Sequence, residues 1–319
     1  MASVRNTIIE GRAMIEMIFQ YIYEFKIESA YKLINSQFMS SVIGALAGAF
    51  AGAYTAHKIA SNAKTRELLE AQMRSTNVAI SSAFLTCNSL LALKGQHVKS
   101  LYENHVSQKE KFEAVLKNPP ANGQIHFEMD LKTLRMPFVP FDDVSRRVQE
   151  QIYVRGRPIA LVFTIQNSLA SLRESLEYRN KLIERFKTDF IGVSEKIKLK
   201  IYFGVRLPDR NIHQEYADIL QTIYQYTDEV IFFSSLLCSD LVTHGDNIRT
   251  YYKKRFGKHL EKTTSPDFKT EKAEILMPDV KDFEDWLTMF KVHPQKQSWF
   301  KRLWILISRS KPTPKTDAV

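Results

Sequence analysis

His97 and His105 stand eight residues apart, with Glu103 between them. At about 100° per residue, that spacing can bring two imidazoles and a carboxylate to one helix face. A metal ion or a proton relay would use such a set. The competing reading is a solvated polar helix face, and it is the one adopted here. Cys87 and Cys238 lie in the apolar runs "AFLTCNSLLAL" and "FFSSLLCSDL". Two isolated cysteines make neither a disulfide framework nor a zinc spacing. They read as buried free thiols in a reducing compartment. His244 follows Cys238 by six residues, which puts the two on different helix faces. No Gly-rich phosphate loop, HExxH or GxSxG occurs. The expectation is a non-enzyme with no catalytic residues, no cofactor, no metal and no small-molecule substrate.

The remaining patterned residues suit interfaces. From Leu33 to Ala56 no charge occurs, and Lys32 and Lys58 flank the run. About 20 mostly apolar helical residues cross a bilayer core. The large side chains Val42, Ile43, Leu46, Phe50 and Tyr54 are interleaved with Ser40, Gly44, Gly48, Gly52 and Ala56, a four-residue repeat of small residues. In lipid such a stripe lets another helix approach closely, so Gly44, Gly48 and Gly52 are the candidate transmembrane packing residues. A soluble core helix would lose roughly 1 kcal/mol per interior Gly relative to Ala. A signal peptide would not follow Glu10, Glu16, Glu24 and Glu28. At the other end, "SWFKRLWILISRSKPTPK" sets Trp299, Phe300, Leu303, Trp304 and Ile307 on one helical face, with Lys301, Arg302 and Arg309 around it. Trp299, Phe300, Lys301, Arg302 and Trp304 are the candidate membrane-surface residues. A core-covering helix and a nucleic-acid contact are the alternatives.

The composition agrees with a folded, helical chain. It is 44% hydrophobic and 25% charged, with only 11 Gly and 11 Pro. The net charge is +10, and it is locally concentrated. Between Trp286 and Thr316 there is no acid but there are seven bases, Lys291, Lys296, Lys301, Arg302, Arg309, Lys311 and Lys315. A tail of that kind implies an anionic partner.

These features need elements to carry them. Residues 7–32 repeat Ile8, Ile15, Ile18, Ile22 and Phe25 at helical steps and are rich in aromatics. They read as an interfacial helix, with packing on the soluble domain or a second crossing as alternatives. Beyond the span, Met73, Ile80, Cys87, Leu91, Val98 and Leu101 continue a helical stripe, with a bend expected at Gly95 and a stop at "NPPANG". Long helices are expected over 158–190 and from Ile212 to about Lys258. "IHFEMDL" could form a short strand, and "KIKLKIYFGV" fits either strand or helix. The fold class is therefore mainly α: an N-terminal amphipathic helix (1–32), one transmembrane helix (33–57), a long-helix, coiled-coil-like cytosolic bundle with short strands allowed (58–260), and a connector with a basic aromatic tail (261–319). Three long helices joined by turns make an antiparallel bundle the default. The flanking charges, Lys26 and Lys32 against Lys58, Lys64 and Arg66, favour a cytoplasmic C-terminal side.

The stretches "GALAGAFAGAYTAHKIA", "RSTNVAISSAFLTCNSLLALKGQHVKSL" and "YADILQTIYQYTDEVIFFSSLLCSDLVTHG" resemble bacterial single-span membrane proteins with a helical cytosolic domain. Within that group the likeness is to the transmembrane effector of a retron antiviral system. The resemblance covers roughly residues 40–105 and 200–245 and rests on no catalytic motif. It implies an inner-membrane effector, homo-oligomeric, held by a reverse transcriptase and its RNA–DNA product. On phage infection it would compromise the membrane and cause abortive infection. A membrane-anchored scaffold or signalling protein without membrane-damaging activity is the other expectation.

Overall fold

The computed structural model describes residues 37–119, 126–268 and 270–290, with Met17, Gln20, Tyr21, Tyr23 and Glu24 of the N-terminal segment. Those five positions are helical and exposed; the rest of the expected amphipathic helix lies outside the described residues. The chain is mainly helical, and no strand occurs among the described residues. It divides into two compact units, Met1–Glu70 and Ala71–Val319.

Helix α1 runs from Gln37 to Leu93. Within the first unit its residues from Val42 onward are almost all exposed. Within the second unit the same helix is half-buried: Met73, Ala79, Ile80, Ala83, Cys87 and Leu90 are all at or below 1% exposure. A π-helical turn, Lys94–Val98, carries the chain into α2, Lys99–Lys117. The bend expected at Gly95 is this wider turn, which turns the buried stripe onto a new face. After it, Leu101, His105 and Phe112 are the buried residues.

Helix α3, Phe141–Arg146, leads through a second π-helical turn into α4, Arg157–Thr188. Helix α4 starts sharply. Gly156 takes φ 72°, a conformation open to Gly at little cost, and Pro158 occupies the first turn, where its missing N–H is not needed. Helix α5, Glu195–Tyr202, follows, and α6 runs from Glu215 to Phe256. Gly257 ends α6 with φ 66° and donates its N–H to the Lys253 carbonyl, a common C-terminal stop. The short α7, Glu271–Glu274, a 3₁₀ turn, Val280–Phe283, and α8, Glu284–Thr288, complete the described chain.

Side-chain contacts fix the helix directions. Cys87 reaches the carbonyl of Ile231, while Cys238 reaches that of Ile80. Numbers rise on one helix as they fall on the other, so α1 and α6 are antiparallel. Arg157 pairs with Asp240 and Ser168 bonds Glu229, so α4 and α6 are antiparallel as well. Therefore α1 and α4 run parallel. The expected antiparallel bundle is corrected on this point, because the α2–α4 join is a crossover rather than a turn. Its extended part passes Arg179 and Asn180 near residues 130–134, then Gln166 at Ser145, then Ser75 at Gln151.

The crossover has no strand partner, so side chains satisfy its backbone. Asn180 donates to the Leu134 carbonyl at 2.7 Å and accepts from the Leu134 N–H at 3.0 Å. The Tyr202 hydroxyl accepts from the Asp130 N–H, and the Tyr216 hydroxyl donates to the Asp130 carbonyl. The strand allowed at "IHFEMDL" is thus an unladdered extended segment over its described residues. The strand allowed at "KIKLKIYFGV" is helix α5. An isolated strand there would leave its N–H and C=O groups unpaired, whereas a helix pairs them locally.

Residues 259–282, read as a polar connector, and "FEDWLTMF" (283–290), read as a short amphipathic helix, pack over their described residues on other parts of the second unit. Asn77 brackets Lys262 and Thr264, Phe84 meets the Phe268 ring, and the Lys94 ammonium donates to the Leu276 carbonyl. Phe283 then stacks on Phe232 with centroids 4.1 Å apart. Such a pair contributes about 0.5–1.5 kcal/mol beyond its buried area.

Candidate functional site

Three features could carry function: the exposed apolar part of α1, a carboxylate- and aromatic-lined groove on the bundle, and a polar pocket beside Arg179.

The helical run beginning at Ser41 is long and apolar enough to cross a membrane by length and composition; its best 18-residue window has mean hydropathy 1.3 and is half-buried. Two charge-free stretches lie in this helix, one ending at Ala56 and the other from Ser75 to Leu93. The half-buried window fits the second, which is core of the bundle. The first stands apart by exposure: Ile43 and Leu46 are 53% exposed, Phe50 73% and Tyr54 68%. These four lie on the side of the helix opposite Gly44, Gly48 and Gly52, with Ala filling the remainder. A Cβ at any of the three glycines would meet nothing within 4 Å. The predicted packing residues thus share one open face. The predicted membrane-surface residues Trp299, Phe300, Lys301, Arg302 and Trp304 lie outside the described residues.

The candidate chemistry of the sequence separates in space. His97 is exposed, but His105 is only 5% exposed, which corrects its reading as a solvated residue. The His105 ring lies among Tyr202, Phe203 and Tyr216, with Nε2 3.0 Å from the Tyr202 carbonyl. That contact places a proton on Nε2, so the neutral ring donates. Burial lowers the His105 pKa, against the opposing effect of the carbonyl. Both thiols are buried; burial pushes that of Cys87 far up and that of Cys238 up to about 12. Neither is suited to nucleophilic or redox work. Among the described residues no three His, Cys, Asp or Glu groups are placed to hold a metal ion.

Two buried cations were not foreseen. The Lys94 ammonium, 4% exposed, pairs with Asp228 at 2.5 Å and lies over the Tyr224 ring at 5.0 Å. Burial raises the Asp228 pKa, and Lys94 acts against that rise. Arg179, fully buried, donates to the carbonyls of Lys132 (2.8 Å) and Asp130 (3.3 Å) and to the Tyr216 hydroxyl. It fastens the crossover to α4. Beside it, a pocket of about 370 Å³ is lined by His97, Ser100, Lys132 and Arg135.

The groove measures about 670 Å³ and lies between α2, α4, α6 and the C-terminal turns. Asp228, Glu229, Asp282 and Asp285 line it, together with Tyr102, Tyr224, Phe233, Phe283, Trp286 and Met289. No Lys or Arg is among its lining residues. Tyr102 and Tyr224 stack at 4.7 Å, and Trp286 meets Phe233 at 4.7 Å. The carboxylates push the Tyr224 pKa further up than burial alone. No sequence signal pointed to this groove, because α2, α4, α6 and the C-terminal turns each supply part of it.

No protein-family model, curated protein or solved structure matches the chain.

Proposed function

We propose that this chain is a membrane-anchored effector: one segment of α1, within residues 33–57, spans a bilayer, self-associates there and compromises it. The observation that carries the reading is the exposure, among the described residues, of an uncharged, mostly apolar helical segment. A helix apolar on every face is buried somewhere, and lipid is the environment that fits a run this poor in polar groups. The open stripe of Gly44, Gly48 and Gly52 supports close approach of a second copy. In this reading the second unit lies on the cytoplasmic side of a bacterial inner membrane, as the flanking Lys and Arg favour. Its action is physical rather than catalytic. The antiviral, retron-type context, with a reverse transcriptase and its RNA–DNA product as the restraint, is part of the proposal and rests on the sequence resemblance alone.

The test has two arms. Removing residues 38–56 moves the protein from the membrane fraction to the soluble one; retention in the membrane fraction overturns the span. Expression of the intact chain collapses the membrane potential, and Gly48→Leu, which blocks close approach, prevents the collapse. A steady potential with every membrane-inserted form overturns the effector reading and leaves an anchored scaffold.

A further inference from the structure

We infer that the carboxylate- and aromatic-lined groove is the docking site of the chain's own basic aromatic segment, residues 296–311. The inference does not depend on the membrane reading.

The groove asks for an occupant with two properties. Its walls are aromatic, and Trp286, Phe283 and Met289 are partly or largely exposed along it. Its charge is one-sided. Asp228 is neutralised by Lys94, and Glu229 accepts from Ser168 and Gln225. Asp282 and Asp285 carry no ion pair among the described residues, and both are exposed. Asp285 sits in the first turn of α8 and Asp282 in that of the 3₁₀ turn Val280–Phe283, positions where a carboxylate is ordinary. An occupant must therefore bring apolar side chains and positive charge together.

Residues 296–311 do so. At helical spacing Trp299, Phe300, Leu303, Trp304 and Ile307 would share one apolar face, with Lys301, Arg302 and Arg309 around it, Lys296 and Lys311 near its ends, and no acid in the segment. The segment also follows the groove closely in sequence. Met289 lines it, and Trp299 follows ten residues later. Ten residues span up to roughly 33 Å, ample for the chain to turn back. Such tethering supplies an effective concentration on the order of millimolar, so modest contacts suffice. The aromatic face cannot occupy groove and lipid together, so the groove is a holding site for the same residues that suit a membrane surface.

The experiment is intramolecular disulfide trapping in the full-length chain in detergent, without lipid. Gln225→Cys places a thiol in the groove and Ile307→Cys one on the segment. Cys87 and Cys238 are buried and stay in place, and their failure to label reports that each variant is folded. The control pairs Ile307→Cys with Ile191→Cys, at an exposed site beyond the end of α4. The docked segment forms the Gln225 link at least about tenfold faster than the control link. Changing Asp282 and Asp285 to Lys brings the two rates together. Equal rates in the unmodified groove, links only between chains, or insensitivity to the two Lys changes overturn the proposal. Gln221→Cys, also in the groove, serves if Gln225→Cys labels at the native cysteines.

Discussion

Cys87 and Cys238 are reciprocal: each thiol reaches a backbone carbonyl on the helix that carries the other, Cys87 to Ile231 at 3.6 Å and Cys238 to Ile80 at 3.7 Å. The pair sits at the seam of α1 and α6 with almost no exposure, 0% and 1%. Both thiols are therefore neutral and shielded from reagent. At pH 8 a maleimide labels neither in the folded protein and both in denaturant, as intact mass measures. Fast labelling of the folded chain would refute the seam.

Arg179 and Asn180 hold the crossover. Arg179→Met removes the donors to Asp130 and Lys132 and leaves their carbonyls short of partners. A loss of about 2–3 kcal/mol is expected, and Asn180→Ala costs about 1–2 kcal/mol. Urea unfolding gives the totals. Hydrogen exchange at the Leu134 amide, which donates to Asn180 Oδ1, rises in Asn180→Ala.

Lys94→Met strands Asp228 in a half-buried site beside Asp282. Breaking one side of a buried pair costs roughly 3–5 kcal/mol. The double change Lys94→Met with Asp228→Leu recovers much of that loss. Denaturation of the single and double variants measures the coupling; equal losses would show that the pair is not a unit.

His105 links stability to pH. Burial lowers its pKa below the ordinary 6.5, and His244 is lowered the same way. The unfolded chain then binds protons that the folded chain refuses. Stability is complete above pH 6.5 and is lost as pH falls toward the depressed folded values. His105→Gln, which keeps a donor for the Tyr202 carbonyl, flattens this decline. Denaturation midpoints between pH 7.5 and 5 test it; an unchanged slope would exclude His105 as its source.

Gly48→Leu separates association from folding. With nothing within 4 Å of a Cβ at Gly48, the substitution leaves the unfolding free energy of the second unit within about 0.5 kcal/mol. It lowers self-association in mild detergent, read by analytical ultracentrifugation. A destabilised second unit would assign Gly48 a different place.

The long helices were legible because their apolar residues keep helical spacing. The expected 158–190 and Ile212–Lys258 are found as Arg157–Thr188 and Glu215–Phe256, punctuated by Pro158 and Gly257. The crossover was not legible. Its backbone is paired by Arg179, Asn180, Tyr202 and Tyr216, all at least 46 residues away, so no local pattern announces it. His105 read as a surface residue for the same reason: the rings around it come from residues 202, 203 and 216. The direction of α4 follows from the crossover and was misjudged with it. The glycine stripe needed only its four-residue repeat, whereas the groove depends on side chains from separate stretches of chain.

Parallel α1 and α4 share α6 as their common antiparallel neighbour, and α6 is made late. Cys87 emerges 144 residues before Ile231, an interval on the order of 10 s at usual synthesis rates. During that interval the uncharged stretch from Ser75 to Leu93 lacks its α6 neighbour. It is about as long as a membrane-crossing helix and follows the proposed span after 18 residues, 57–74. If the proposed span enters a membrane, the newborn protein offers two hydrophobic segments in succession, and packing against α6 helps to hold the second in the bundle. On that proposal, orientation and folding compete, and the arrival of α6 bears on the outcome.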